Sequence, residues 1–97
     1  MPTLDEIIGI SESVFNMPAG CIMTHNRSKN VAAARAVAMF FCKKYSTLSF
    51  SELGYRFKRD NSTIIHNVYR IGKKLKAETL DWMALRALLV EERINNV

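Results

Sequence analysis

The sequence predicts an all-α fold, a compact bundle of about six helices containing a helix-turn-helix, and three observations predict it. Apolar residues recur at i, i+3, i+4 and i+7 in several stretches, which is the period of one helix face. No stretch shows the apolar-polar alternation of a half-buried strand. Residues 49–70, SFSELGYRFKRDNSTIIHNVYR, read as two short helices joined by a tight basic turn, the plan of a helix-turn-helix.

Taken in order, Leu4, Ile7, Ile8, Val14 and Phe15 outline a first amphipathic helix over residues 3–16. Pro18 interrupts the chain, and Ala19 to Met23 leave room for one helical turn. Residues 24–30, THNRSKN, form a polar basic loop. Val31 to Tyr45 is a strong helix, with Val31, Ala34, Ala38, Phe41 and Cys42 on its apolar side. Ser49 with Glu52 three residues on is a capping box that starts the first motif helix. Leu53 and Phe57 face the core, and the small Gly54 lets the two motif helices approach closely. The turn runs from Lys58 to Asn61, with Asp60 or Asn61 as the cap of the next helix. That helix begins at Ser62 and runs to about Ala77, with Ile64, Ile65, Val68, Ile71 and Leu75 inside. Thr63, His66, Asn67, Arg70, Lys73 and Lys74 lie on its other face. A last helix spans Thr79 to Asn95, with Leu80, Met83, Ala87, Leu88 and Ile94 on one side. Trp82 is either partly buried there or an exposed contact.

Ninety-seven residues at 48% apolar content suit one folded domain, residues 1–97. No apolar run reaches the ~20 residues that span a bilayer, and the start, MPTLD, lacks the basic residues of a signal peptide. A cytoplasmic protein with no membrane partner is expected. Cys21 and Cys42 form no CxxC and sit in apolar surroundings, as reduced, mostly buried thiols do. Two His and two Cys scattered through the chain make poor material for a metal site. The phosphate-loop, GxSxG and HExxH signatures are missing, so neither an enzyme nor a cofactor is expected.

The net charge of +5 hides a segregation. Residues 1–25 sum to −3, residues 26–76 to +10 and residues 77–97 to −2. The positive charge is concentrated on the segment that holds the helix-turn-helix, the footprint of a polyanion binder. A helix-turn-helix places the N-terminus of its second helix in the major groove of DNA. Arg59, Asp60, Asn61, Ser62 and Thr63 stand there. Arg can pair with guanine O6 and N7, a carboxylate can accept from cytosine N4, Asn can pair with adenine, and the Thr methyl can touch thymine. Asp60 either reads cytosine or caps the helix, or does both. Arg27 and Lys29 lie in a loop before a helix, and such an arm can place Arg in a narrow minor groove. Lys43, Lys44, Arg56, Lys58, Arg70 and Lys73 are phosphate contacts at most. His66 either bonds at the groove side or packs as an ordinary helix residue. Single-strand or RNA binding relies on aromatic platforms, and Tyr55 and Tyr69 are too scattered to make one.

These residues carry a resemblance. Residues 26–71 resemble the C-terminal DNA-binding domain of the bacterial replication initiator DnaA. That family runs as a basic RSR-like loop, then VAxxRxxAMxLxxxxT, then SLxEIGxxFGGRDHTTVxHAxxKI. Here the text is RSK, then VAAARAVAMFFCKKYST, then SFSELGYRFKRDNSTIIHNVYRI. The leading stretch LDEIIGISESVFNMPAGCIM also resembles the family's first helix and second turn. The resemblance implies a six-helix, Trp-repressor-like domain that binds duplex DNA as a monomer at an A·T-rich box of the TTATCCACA type. Carried over by position, it implies Arg27 in the minor groove and Arg59, Asp60, Asn61, Ser62 and Thr63 in the major groove. It also implies backbone contact by Arg35, and phosphate contact by Lys43, Phe50 and Arg70.

Three departures stand out. The family's GlyGly before RD is reduced to Lys58, one residue shorter, so the turn must close differently. Asn61 replaces the family's His, which shifts the expected base choice from thymine toward adenine. Ala34 and Ala36 replace a Pro and a polar residue. The resemblance covers only the DNA-binding part of the initiator, so no nucleotide partner is expected. What remains is origin recognition or its regulation in the bacterial nucleoid. The competing expectation is a protein-interaction or transcription-regulatory module with lost or altered box specificity.

Overall fold

Helix α2, Lys29–Lys44, is the axis of the structure, and every other element packs against it. The computed structural model describes residues 2–97; Met1 lies outside them. The described residues form five α-helices, α1 Leu4–Val14, α2 Lys29–Lys44, α3 Phe50–Phe57, α4 Asn61–Leu75 and α5 Trp82–Asn95. The expected sixth is a single 3-10 turn, Cys21–Met23, and no strand occurs among the described residues. The Cα radius of gyration is 12.1 Å, close to the ~13 Å of a compact chain near 100 residues.

The α2 sequence was expected to show one apolar stripe, but Ala33 to Met39 are all buried. A helix buried all round lies inside a bundle, and its alanines let neighbours pack close to its backbone. Phe15, Phe57, Ile7, Ile22, Leu53, Ile64 and Ile71 from the other elements fill the space around it at 0–1% exposure. Burial pushes the Cys42 thiol up to about 12, which leaves it unreactive at neutral pH. Cys21 is half-buried.

Caps set the helix ends. Thr3 and Glu6 form a capping box on α1, so that helix starts at Leu4. Ser28 caps α2, which therefore begins at Lys29 rather than Val31. Ser49 and Glu52 form the expected box on α3, with bonds of 2.9 and 3.1 Å. Asp81 Oδ1 accepts from the Ala84 amide at 2.9 Å and delays α5 to Trp82. Leu80 therefore precedes that helix, and Leu88 is 42% exposed. Leu85, Leu88 and Leu89 all point outward, while Met83, Ala84, Ala87, Val90 and Ile94 are buried. Trp82 is half-buried and meets Phe15 edge to face at 6.0 Å. Arg86 donates to the Val14 carbonyl, Arg93 donates to Ser13 Oγ, and Lys44 pairs with Glu91. These contacts close α5 onto α1 and α2.

Candidate nucleic-acid interface

The α3–α4 turn is short because Lys58 adopts a left-handed conformation, φ 56° and ψ 45°. Glycine usually fills that position at a helix end. The Arg59 amide then closes back on the Gly54 carbonyl at 2.9 Å, as in a Schellman motif. One lysine in a left-handed conformation thus closes the turn. A Cβ at Gly54 would stand 2.8 Å from the Arg59 carbonyl and 3.0 Å from Asn61 Oδ1, so only glycine fits under this turn.

Lys58, Arg59, Asp60, Asn61 and Thr63 line one open concavity of about 890 Å³, together with Gly54, Tyr55 and Arg56. Asp60 occupies the N-cap position of α4, yet its carboxylate makes no cap bond. Its backbone carbonyl takes the Thr63 and Ile64 amides at 3.0 and 3.2 Å. The capping alternative for its side chain therefore does not hold in this structure, and the carboxylate is exposed. Asn61 begins α4 and donates to Ser51 Oγ at 2.9 Å, joining the two motif helices. Ser62 and His66 are exposed one turn apart on the outward ridge of α4. Tyr55, 85% exposed on α3, lines the same concavity as Lys58 to Asn61. The sequence marks Tyr55 only as too far from Tyr69 to make a stacking platform, although its position between the buried Leu53 and Phe57 places it on the outer face.

The basic loop lies against the same turn. Its polar side chains order it locally. Thr24 Oγ1 accepts from the Asn26 amide at 3.2 Å, and Asn26 Oδ1 accepts from the Ser28 amide at 2.8 Å. Arg27 is exposed there. Arg59 spans the two segments, donating through Nη1 to the Phe57 and Lys58 carbonyls at 3.1 and 3.3 Å. Its Nη2 donates to the Thr24 carbonyl at 2.8 Å.

Other expected positions fall elsewhere. Arg35 is 8% exposed, and its donors serve the Ile22, Thr24 and Asn26 carbonyls at 2.8, 2.9 and 3.0 Å. It braces the loop from inside rather than presenting a surface contact. Burial, and then the nearby Arg59 charge, hold its pKa below the usual arginine value. Asn67 turns into the bundle, donating to Met39 S at 3.4 Å, which removes it from the outward set. Lys43 bonds the Leu48 carbonyl at 3.0 Å and lies 4.9 Å from the Phe50 ring, so these two meet at the α2–α3 corner. Lys29 is exposed, with its ammonium 5.5 Å from the Trp82 ring. Arg70 is half-buried, and its Nε has no partner.

The result is a cationic, donor-rich surface with two projecting parts, a helix start and a loop. Among the described residues, no group of three or more His, Cys, Asp or Glu could hold a metal, and no helix is long and apolar enough to cross a membrane.

Comparison with known proteins gives one consistent match. The family described as the bacterial dnaA protein helix-turn-helix matches residues 4–71. The chain is 35% identical over 77 residues to the chromosomal replication initiator protein DnaA of Lachnoclostridium phytofermentans, covering 78% of this chain and 17% of the relative. It is 38% identical over 67 residues to the protein of that name from Tropheryma whipplei, covering 69% and 14%. A Chlamydia trachomatis initiator matches at 27% over 82 residues, covering 84% and 18%. The chain thus spans less than a fifth of the length of these relatives.

Proposed function

From the chain's membership of the bacterial DnaA helix-turn-helix family, we propose that residues 1–97 act as one domain that binds duplex DNA at a DnaA-box-type site. The observation that carries this reading is the joining of the Arg27 loop and the start of α4 on one surface at the Thr24 carbonyl. A helix start in the major groove with a basic arm in the adjacent minor groove is an established way to read duplex DNA. Asp60, Asn61, Ser62 and His66 face the major groove in this reading, with Arg59 and Thr63 beside them. Arg27 enters the minor groove. Lys58 and the α2–α3 corner of Lys43 and Phe50 meet phosphates, with Arg70 and Lys29 further out.

The domain acts as a monomer without catalysis of its own, in replication-origin recognition or its regulation in the bacterial cytoplasm. A box related to TTATCCACA but altered at the base facing Asn61 is its target. Fluorescence anisotropy on a labelled TTATCCACA duplex and a shuffled duplex, at two salt concentrations, tests this. Tighter binding to the box is expected, and its affinity should fall steeply with salt. Equal binding to both duplexes would remove the box reading, and binding to neither would remove the DNA reading.

One observation favours a second reading, a protein-interaction or transcription-regulatory module. Leu85, Leu88 and Leu89 form an exposed apolar ridge on α5, a helix that carries none of the residues assigned to DNA. Size-exclusion chromatography with and without duplex separates the two readings. A shift only with duplex supports DNA binding.

A further inference from the structure

Resting on the DNA-binding reading, we propose that Arg59 is a positioning residue for the Arg27 loop. Its guanidinium ties the helix-turn-helix to the loop through the Thr24 carbonyl, so the two projecting segments meet DNA as one unit.

A guanidinium is a planar fork that can hold two groups at a fixed separation. One prong of Arg59 is spent on the turn, at the Phe57 and Lys58 carbonyls, and the other on Thr24, 35 residues away in the chain. The root of the side chain is fixed as well, because the Arg59 amide is held by the Gly54 carbonyl at 2.9 Å. Arg35 reaches the same Thr24 oxygen from beneath at 2.9 Å and also holds the Asn26 carbonyl at 3.0 Å. Both lone pairs of the Thr24 carbonyl are therefore used. The loop is clamped from the core side by α2 and from the flank by the turn. Arg27 directly follows the clamped Asn26, so movement at Thr24 carries to it.

The clamp also has an electrostatic consequence. Two guanidinium groups converge on one carbonyl, and neither pairs with a carboxylate; the salt bridges found among the described residues are Lys44–Glu91 and Lys74–Asp81. An arriving polyanion relieves that like-charge crowding. The clamp is thus best accommodated with DNA bound.

The test is a double-mutant cycle on the full chain, with wild type, Arg27→Ala, Arg59→Lys and the double variant titrated on the TTATCCACA duplex. Lysine keeps the charge but is a point donor, so it cannot hold the turn and Thr24 together as the fork does. Arg27→Ala should weaken wild-type binding by about tenfold, and by at most about threefold once Arg59 is lysine, a coupling between the two sites. Amide exchange at Asn26 and Ser28 in the free protein should speed up in Arg59→Lys, while the unfolding midpoint stays near that of wild type. Additive effects in the cycle overturn the proposal and leave the DNA reading intact. No effect of Arg27→Ala in the wild-type background removes the minor-groove role of the loop instead. The exchange rates then decide alone: faster exchange sustains the clamp and unchanged exchange overturns it.

Discussion

Lys58 shows how one residue can carry two opposed demands. Its φ of 56° places a side chain where glycine is favoured, at a cost of about 1–2 kcal/mol in the left-handed region. Its charge lies on the rim of the concavity beside Arg59. Lys58→Gly should raise stability by about 0.5–1 kcal/mol, because relief of strain exceeds the added freedom of the unfolded chain. The same change should weaken DNA binding and lower the salt slope by about one unit. Urea unfolding and anisotropy at several salt concentrations read both; a less stable glycine variant would show that the turn is not strained at this residue. Gly54 makes the converse case. Gly54→Ala puts a methyl 2.8 Å from the backbone oxygen of Arg59, where no flexible side chain can yield. A loss of about 1–3 kcal/mol is expected, together with reduced preference for the box, since the turn carries Arg59. Unchanged stability in urea would mean that the turn opens freely.

At the scale of the elements, α3 is the shortest α-helix among the described residues, at eight residues. Isolated helices of that length are not stable in water, so α3 depends on its cap and on its buried residues. Leu53 and Phe57 are 0–1% exposed, and both bonds of the Ser49–Glu52 box are present. Ser49→Ala should cost about 1 kcal/mol and loosen the Lys43–Leu48 corner that leads into the helix. A thermal melt indistinguishable from wild type would argue that packing alone holds α3. Helix α4 shows a different balance. No side chain caps its start, and its carboxylate, amide and hydroxyl groups at positions 60–62 are exposed to solvent. A structural helix would use such residues to satisfy its first amides. Here Asn61 bonds α3 instead and Asp60 is free.

For the whole molecule, closure depends on contacts from the acidic end to the centre. Glu91 is held below the ordinary carboxylate range, first by its hydrogen bond from Lys44 and also by Tyr45. Asp81 is lowered by Lys74 and by the Ala84 amide, and Glu52 by its bonds from Ser49. All three folded values lie below the unfolded ones. Their stabilisation is therefore complete above the ordinary carboxylate range of about 4–4.5 and is lost as pH falls through the depressed values. Urea midpoints should hold steady from pH 7 to about pH 5 and then decline. Glu91→Gln should flatten part of that decline. A midpoint that stays constant down to pH 3 would remove these carboxylates from the stability of the fold.

The all-α class, the placement of the helices to within a few residues, the α3 capping box, the need for Gly54 and the concentration of positive charge were all legible in the sequence. Each is written in short-range patterns: a 3.6-residue period, a cap and its partner three residues on, a run of lysines and arginines. The helix-turn-helix and its family resemblance were legible for the same reason, since the motif is contiguous. The candidate site was legible in its contiguous part, from Lys58 to Thr63, and less so elsewhere. Packing settled the rest: Arg35 is buried under the loop, Asn67 turns toward Met39 and Trp82 packs on Phe15. It also decided that Leu88 faces outward and that Arg59 reaches Thr24. These depend on which residues distant in the chain become neighbours. A guanidinium chooses among carbonyls that packing brings within 3 Å, and no local pattern marks a carbonyl 35 residues away as the one it will meet.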